Sequence, residues 1–168
     1  MEKDDVDQIM EIESVSFGSH HWSKESFISE IKNPLGSYFS AVEPETGKIL
    51  GYCGFWLICE EAHITTIAVR PEYRKNKLGE LLLQTMIEEG YKREAKWFTL
   101  EVRASNTAAQ NLYYKYGFDS LGVRAKYYQD NNEDALIMWT KNIWESEFKD
   151  NFAKLKDNLK NLNLIKTK

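Results

Sequence analysis

Across residues 62–117 the hydrophobic spacing switches between a period of two and a period of 3.6. That alternation restricts the chain to folds that mix strands with helices. Residues 62–69 are rich in Ile, Thr and Val, as a half-buried strand requires. Residues 78–93 place Leu81, Leu82, Thr85, Met86 and Glu89 on one helical face. Residues 97–102 return to a β-rich run. Thr107-Ala-Ala-Gln110 fits a capping box and opens a helix that ends at Gly117, a natural residue just past a helix end.

The flanks extend the pattern. Residues 5–13 read as a short amphipathic helix with Val6, Ile9 and Met10 inward. Ser23 offers a cap for a second helix, with Phe27, Ile28 and Ile31 on one face, that stops before Pro34. Residues 38–43 and 49–58 read as strands around a hairpin loop containing Pro44 and Gly47. Residues 120–128 and 134–140 are two further strands around the turn-rich loop 129–133. Helices on both sides of mixed strands predict a three-layer α/β domain, with a mixed central sheet, over residues 1–140. From Ile143 the chain changes. Phe148, Phe152, Leu155, Leu159 and Leu162 step by four and three, an apolar seam of about two heptads. Residues 141–168 are therefore expected to form a helical tail that packs on the body or on a second copy, leaving monomer and homodimer both open.

Composition narrows the function classes. The 168 residues fit one domain. The net charge of −4 divides into −7 over residues 1–140 and +3 over the tail. An acidic body is a poor nucleic-acid binder and suits a cationic partner. No apolar run approaches the ~18 residues of a membrane span. The start, Met1 to Asp5, is polar and lacks a secretory signal, so the expected compartment is the cytoplasm. Cys53 and Cys59 make neither a disulfide framework nor a zinc site, and His20, His21 and His63 lack metal-ligand spacing, so no metal is expected.

The strand at Thr66-Ile-Ala-Val69 leads through a basic loop into the helix at Leu78. Helix N-termini present free N–H groups and partial positive charge, so a loop bearing Arg74, Lys75, Lys77 and Gly79 there can hold a pyrophosphate. A solvated basic turn fits the same residues. Two later motifs bear on the choice. Leu100-Glu-Val-Arg-Ala-Ser-Asn106 ends a strand and enters a helix, and Leu112-Tyr113 with Gly117-Phe118 closes that helix. With Ile67-Ala-Val69, the Arg74–Gly79 loop, Trp22-Ser23, Phe27, Tyr127-Tyr128 and Glu133-Asp-Ala135, this chain resembles the GNAT (general N-acetyltransferase) superfamily over roughly residues 5–140. Within it the motifs resemble the branch that acetylates the N-terminal alanine of a small-subunit ribosomal protein.

The resemblance implies a fold, a reaction and a set of residues. Backbone of Ile67, Ala68 and Val69 would pair with the pantetheine arm of acetyl-CoA. The loop Arg74, Lys75, Asn76, Lys77, Leu78, Gly79 and Glu80 would cradle the pyrophosphate, and Asn106 would touch the cofactor. Glu101 would be the general base and Tyr113 the general acid. The chemistry fits those types. An α-amino group with pKa ~8 must lose a proton before it attacks a thioester. Strand N–H groups near Val69 can stabilise the oxyanion, and a Tyr hydroxyl can protonate the departing thiolate. The implied partner is a basic protein N-terminus beginning with alanine. Another amine, or a non-catalytic acyl-CoA-binding module, remains an alternative reading. Taken alone, Glu101 reads as an ion-paired strand-end residue, with Arg103 for example, and Tyr113 as a core aromatic.

Three departures stand out. Lys77 replaces the first glycine of the phosphate loop, where backbone approaches phosphate or takes positive φ, so weaker acetyl-CoA binding is expected unless Asn76 absorbs the unusual dihedral. Only four residues precede the first helix, which predicts a missing first strand and an open sheet edge. His21 stands where proline usually precedes Trp-Ser. On the acceptor side, Asp130, Glu133 and Asp134 would make an acidic rim suited to a basic peptide.

Overall fold

The computed structural model describes residues 1–18, 21–159 and 166–167. Helix α1 (Val6–Phe17), entered through a 3-10 turn at Lys3–Asp5, and α2 (Lys24–Ile31) come first. Strands β1 (Gly36–Val42), β2 (Ile49–Ile58) and β3 (Glu61–Val69) follow as an antiparallel meander. Then come α3 (Leu78–Lys92), β4 (Trp97–Arg103), α4 (Thr107–Lys115), β5 (Phe118–Tyr128), β6 (Glu133–Thr140) and α5 (Ser146–Asp157). A two-residue strand, β7 (Lys166–Thr167), pairs with the outer edge of β1 at Val42 and Ala41. The sheet order is β5-β6-β4-β3-β2-β1-β7, antiparallel except for the parallel β3–β4 pair.

Two apolar layers sandwich the sheet. On one face Val6, Ile9 and Ile12 of α1 and Phe27 of α2 meet Ile49, Tyr52 and Ala68. On the other, Leu82, Leu83, Met86 and Ile87 of α3 meet Phe55, Phe98, Leu100 and Met138. This is the predicted three-layer arrangement of helix, sheet and helix. Phe148, Phe152 and Leu155 of α5 enter the α3 layer, beside Tyr91 and Gly117, so the tail seam packs on the body. Leu159 is buried just past α5, and Leu162 lies outside the described residues.

Several boundaries differ from the sequence reading for visible reasons. Helix α1 runs about a turn past the expected end at Glu13, to Phe17, where the Gly18 N–H closes it on the Ser14 carbonyl. Ser23 caps α2 as expected, accepting the Ser26 N–H at 3.1 Å. The cap of α4 is Asn106, one residue before Thr107. Its Oδ1 accepts the Ala109 N–H at 3.1 Å, while Gln110 reaches back to the carbonyls of Arg103 and Ala104. The sheet edge expected to be open is partly covered. Besides β7, the Met1 ammonium donates to the Tyr38 carbonyl at 3.1 Å.

Two irregularities of β3 shape the centre of the molecule. Pairing with β2 slips one residue, so Gly54 faces Thr66 while Phe55 faces Ile64, and Thr65 is the extra residue of a bulge. A bulge reverses the alternation of faces. Before it, Ala62 and Ile64 point to the α3 layer. After it, Ile67 and Val69 do, and Ala68 points to α1. The second irregularity is that β3 and β4 pair only over Glu61–His63 and Trp97–Thr99. Residues 64–69 of β3 therefore run on without a strand on the β4 side.

Candidate active site

Where β3 and β4 part, a cleft of about 530 Å³ opens. Its walls come from β3 (His63–Ile67), β4 (Leu100–Arg103), the end of α1, Trp22, Trp56, Asn106, Tyr113, and Tyr127-Tyr128. Glu101 is the fifth residue of β4, and its side chain is only 8% exposed. Its Oε2 lies 2.9 Å from His63 Nε2 and its Oε1 lies 3.2 Å from Arg124 Nη1. The hydrogen bond from His63, aided by the charges of His63 and Arg124, holds the carboxyl below its ordinary range against the opposing effect of burial. Glu101 is therefore a carboxylate at neutral pH. The ion-pair partner expected from sequence, Arg103, is occupied elsewhere.

Tyr113 also lines the cleft, from α4, with its ring 5.5 Å from Phe118. Burial pushes its hydroxyl well above the ordinary tyrosine value, so it keeps its proton. Its neighbours differ. Tyr116 is a core residue bonded to Gln84 at 2.7 Å, whereas Tyr114 is half exposed.

The loop between β3 and α3 places backbone, rather than side chains, at the helix N-terminus. Lys77 is the N-cap and takes left-handed geometry, φ 61° and ψ 10°. Lys75 is left-handed too, φ 64°, while Asn76 is not among the positive-φ residues. The unusual dihedral is thus carried by Lys77 itself and by Lys75, and the expectation that Asn76 absorbs it is corrected. Alternating left-handed residues turn successive N–H groups to one side, a concavity that suits an anion at the start of a 15-residue helix. Side chains here mostly serve the fold. Arg74 Nε donates to the Val69 carbonyl at 3.1 Å, and Leu78 is buried. Glu80 accepts from Lys115 Nζ at 2.7 Å. Gly79 has room for a Cβ, 3.4 Å from Leu112, so space does not demand glycine there. Asn106 lines the cleft while its oxygen caps α4. Ile67 also lines the cleft, and Ala68 and Val69 extend the same unpaired edge of β3 toward the loop.

The acids of the expected rim also make contacts within the β5–β6 loop. Arg103 binds Asp130 at 2.8 Å and Glu133 at 3.2 Å and stacks on Tyr128 at 3.9 Å. Glu133 also accepts the Ser105 N–H, and these bonds, led by Ser105, lower its carboxyl to about 2. Asp134 accepts the Lys126 N–H at 2.8 Å. The acids brace the β5–β6 loop internally, while Asp130 and Asp134 stay exposed on it.

Comparison with known proteins bears on this geometry. Residues 6–118 match the acetyltransferase (GNAT) family. The chain belongs to the GNAT acetyltransferase family. A Bacillus subtilis (strain 168) relative, named a putative [ribosomal protein bS18]-alanine N-acetyltransferase, is 46% identical over 140 residues, 83% of this chain and 91% of its own. The crystal structure of the Escherichia coli ribosomal-protein-S18-alanine N-acetyltransferase superposes with a TM-score of 0.75 at 34% identity, covering 84% of this chain and 90% of that one. A Thermoplasma acidophilum N-acetyltransferase, solved in complex with coenzyme A, shares the fold at 20% identity and a TM-score of 0.67, covering 84% and 95%.

As a GNAT acetyltransferase, the chain has an opening between parted parallel strands, lined by Glu101 and Tyr113. Two partners of Glu101 are not singled out by the sequence. His63 had been weighed only as a metal ligand, and Arg124 not at all. The alternation of β3 put His63 on a definite face, but only the His63–Thr99 register puts it beside Glu101, two residues further along β4. The signal for Arg124 is weaker still, because bulges in the β5–β6 pairing shift its register.

Proposed function

We propose that this GNAT acetyltransferase moves the acetyl group of acetyl-CoA to the α-amino group of an N-terminal alanine, on ribosomal protein bS18, in the cytoplasm. The observation that carries the reading is the arrangement of Glu101, bound by His63 and Arg124, and the protonated Tyr113 around one cleft at the parting of β3 and β4. The relatives named for that activity support the choice of acceptor. The domain of residues 1–140 would carry the reaction, with α5 of the tail packed against it as a buttress.

The unpaired edge of β3 at Ile67, Ala68 and Val69 offers backbone groups to the amide-bearing pantetheine arm. Residues Arg74 to Glu80 then offer N–H groups and basic charge to the pyrophosphate, and Asn106 borders the arm from α4. Glu101 is the general base, acting as one member of the Glu101–His63 pair. Its low proton affinity makes the carboxylate a poor final holder of a proton from an amine of pKa ~8, and the His63 ring bonded to it at 2.9 Å offers a second site for that proton. His63 therefore shares the proton, and Glu101 stabilises the imidazolium. The freed amine forms a C–N bond to the thioester carbonyl carbon, and N–H groups of β3 take up the oxyanion. The nitrogen of the adduct loses its second proton to water, the C–S bond breaks, and Tyr113 gives its proton to the leaving thiolate.

The test is thiol release from acetyl-CoA with a basic peptide bearing a free N-terminal alanine, against the same peptide blocked at its N-terminus and carrying an internal lysine. Release is expected only with the free alanine. Glu101→Gln should lower kcat ~10²–10⁴-fold and Tyr113→Phe ~10²-fold. Equal release with the blocked peptide would instead assign a lysine acceptor. Acetyl-CoA binding without any release would leave the binding-module reading.

A further inference from the structure

The cleft wall formed by α1 holds a carboxyl that none of these steps uses. Glu13 sits near the end of α1, is 2% exposed, and lines the cleft. Its Oε1 accepts the Trp22 N–H at 2.8 Å, tying the α1–α2 connection to the helix. Its Oε2 is buried and has no hydrogen-bond partner among the described residues. Thr66 Oγ1, also buried and also on the cleft, has none either. Buried polar atoms are nearly always paired, so two orphans on residues that line one cleft mark a place where a ligand can complete the bonding. Burial, outweighing the Trp22 N–H and the charge of His21, pushes the Glu13 carboxyl up to about 7, as expected of an acid that lacks its counter-charge.

The other acids around the cleft are already engaged. His63 and Arg124 take one oxygen each of Glu101, Arg103 holds Asp130 and Glu133, and Asp134 accepts a backbone N–H. Glu101 and Glu13 are the two carboxyl groups that line the cleft, and Glu13 Oε2 is the carboxyl oxygen left without a partner. An incoming α-amine is a cation until it yields its proton. We infer that Glu13 Oε2 is the docking point for the cationic amine of the acceptor, with the Thr66 hydroxyl as its second polar contact. The ammonium rests there, against Phe17 and Trp22, before the Glu101–His63 pair removes its proton. Glu13 is thus a specificity residue for a charged, unblocked amine. The inference rests on reading the cleft as an acceptor site.

The test uses Glu13→Gln, whose amide oxygen still accepts the Trp22 N–H but carries no charge. Affinities to the full-length protein saturated with CoA are measured by calorimetry for three ligands: the basic alanine peptide, the same peptide N-acetylated, and alaninamide. The expected result is roughly tenfold weaker binding of both free amines, less than twofold change for the acetylated peptide, and no lower Tm. Equal affinity of the two proteins for the free amines, including binding by neither, overturns the inference. So does an equal loss for the acetylated peptide, which is the mark of a merely structural carboxyl. Thiol release by the unaltered protein is scored separately. Its absence with the alanine peptide defeats the proposed acceptor, while alaninamide binding still decides the role of Glu13.

Discussion

Lys77 holds a left-handed backbone conformation at the mouth of α3, where a Cβ costs about 1–2 kcal/mol relative to glycine. The strain is local, so its removal is readable. Lys77→Gly should raise Tm and, by freeing the backbone to approach phosphate, tighten acetyl-CoA binding by ~2–5-fold. Calorimetry with acetyl-CoA checks this. A weaker affinity instead would mean that the lost ammonium outweighs the relieved strain. Glu101 and Tyr113, the proposed base and acid, are singled out in the sequence because they sit inside a contiguous motif, and both line the cleft. His63, Arg124 and Glu13 are not singled out, since each acquires its role from a residue on another element: Glu101 for the first two, and Trp22 with the cleft wall for Glu13.

Elements were read well where their period was long and their caps plain. Helix α3 begins at the predicted Leu78 and ends one residue early, at Lys92. Gly117, at φ 82°, ends α4 as expected. The bulge at Thr65 had no sequence signature, since Thr suits a regular strand as well as a bulged one. Gly54 carries a different constraint. A Cβ there would lie 2.1 Å from the Tyr38 ring, so the glycine is set by a crossing side chain rather than by dihedral need. The tail helix gives the prediction proper to this scale. Phe152 is buried in the α3 layer, its ring 6.0 Å from Tyr91 and 6.4 Å from Phe148. Phe152→Ala should cost ~3 kcal/mol of stability. Urea unfolding would show it as a lower midpoint with an unchanged slope. An unchanged midpoint would mean that α5 contributes nothing to the body.

For the whole molecule the charge distribution matters most. Residues 1–140 carry −7, a sum that already includes Arg103 paired with Asp130 and Glu133 in the β5–β6 loop. What remains for a cationic acceptor is the long-range field and the cleft acids. Field-driven encounter weakens as salt shortens the Debye length from ~30 Å at 0.01 M to ~8 Å at physiological strength. For a basic alanine peptide, kcat/KM should therefore fall severalfold between 0.02 and 0.3 M salt, about tenfold at most. For a neutral peptide with the same N-terminus it should hardly move. Steady-state assays on the two peptides check this, and an equal response would remove steering from the account.

The sequence by itself determined the layers, the order of elements and the motif residues. Periodicity, caps and glycine positions act over a few neighbours, and those interactions are written in consecutive residues. Tertiary structure decided which carboxyls are usable. Strand pairing set His63 and Arg124 against Glu101, Arg103 tied Asp130 and Glu133 into their own loop, and the packing of α1 buried one oxygen of Glu13 without a partner among the described residues. Charge neutralisation and desolvation depend on distance in space, and distance in space between residues as far apart as 63 and 101 is fixed only when the sheet assembles.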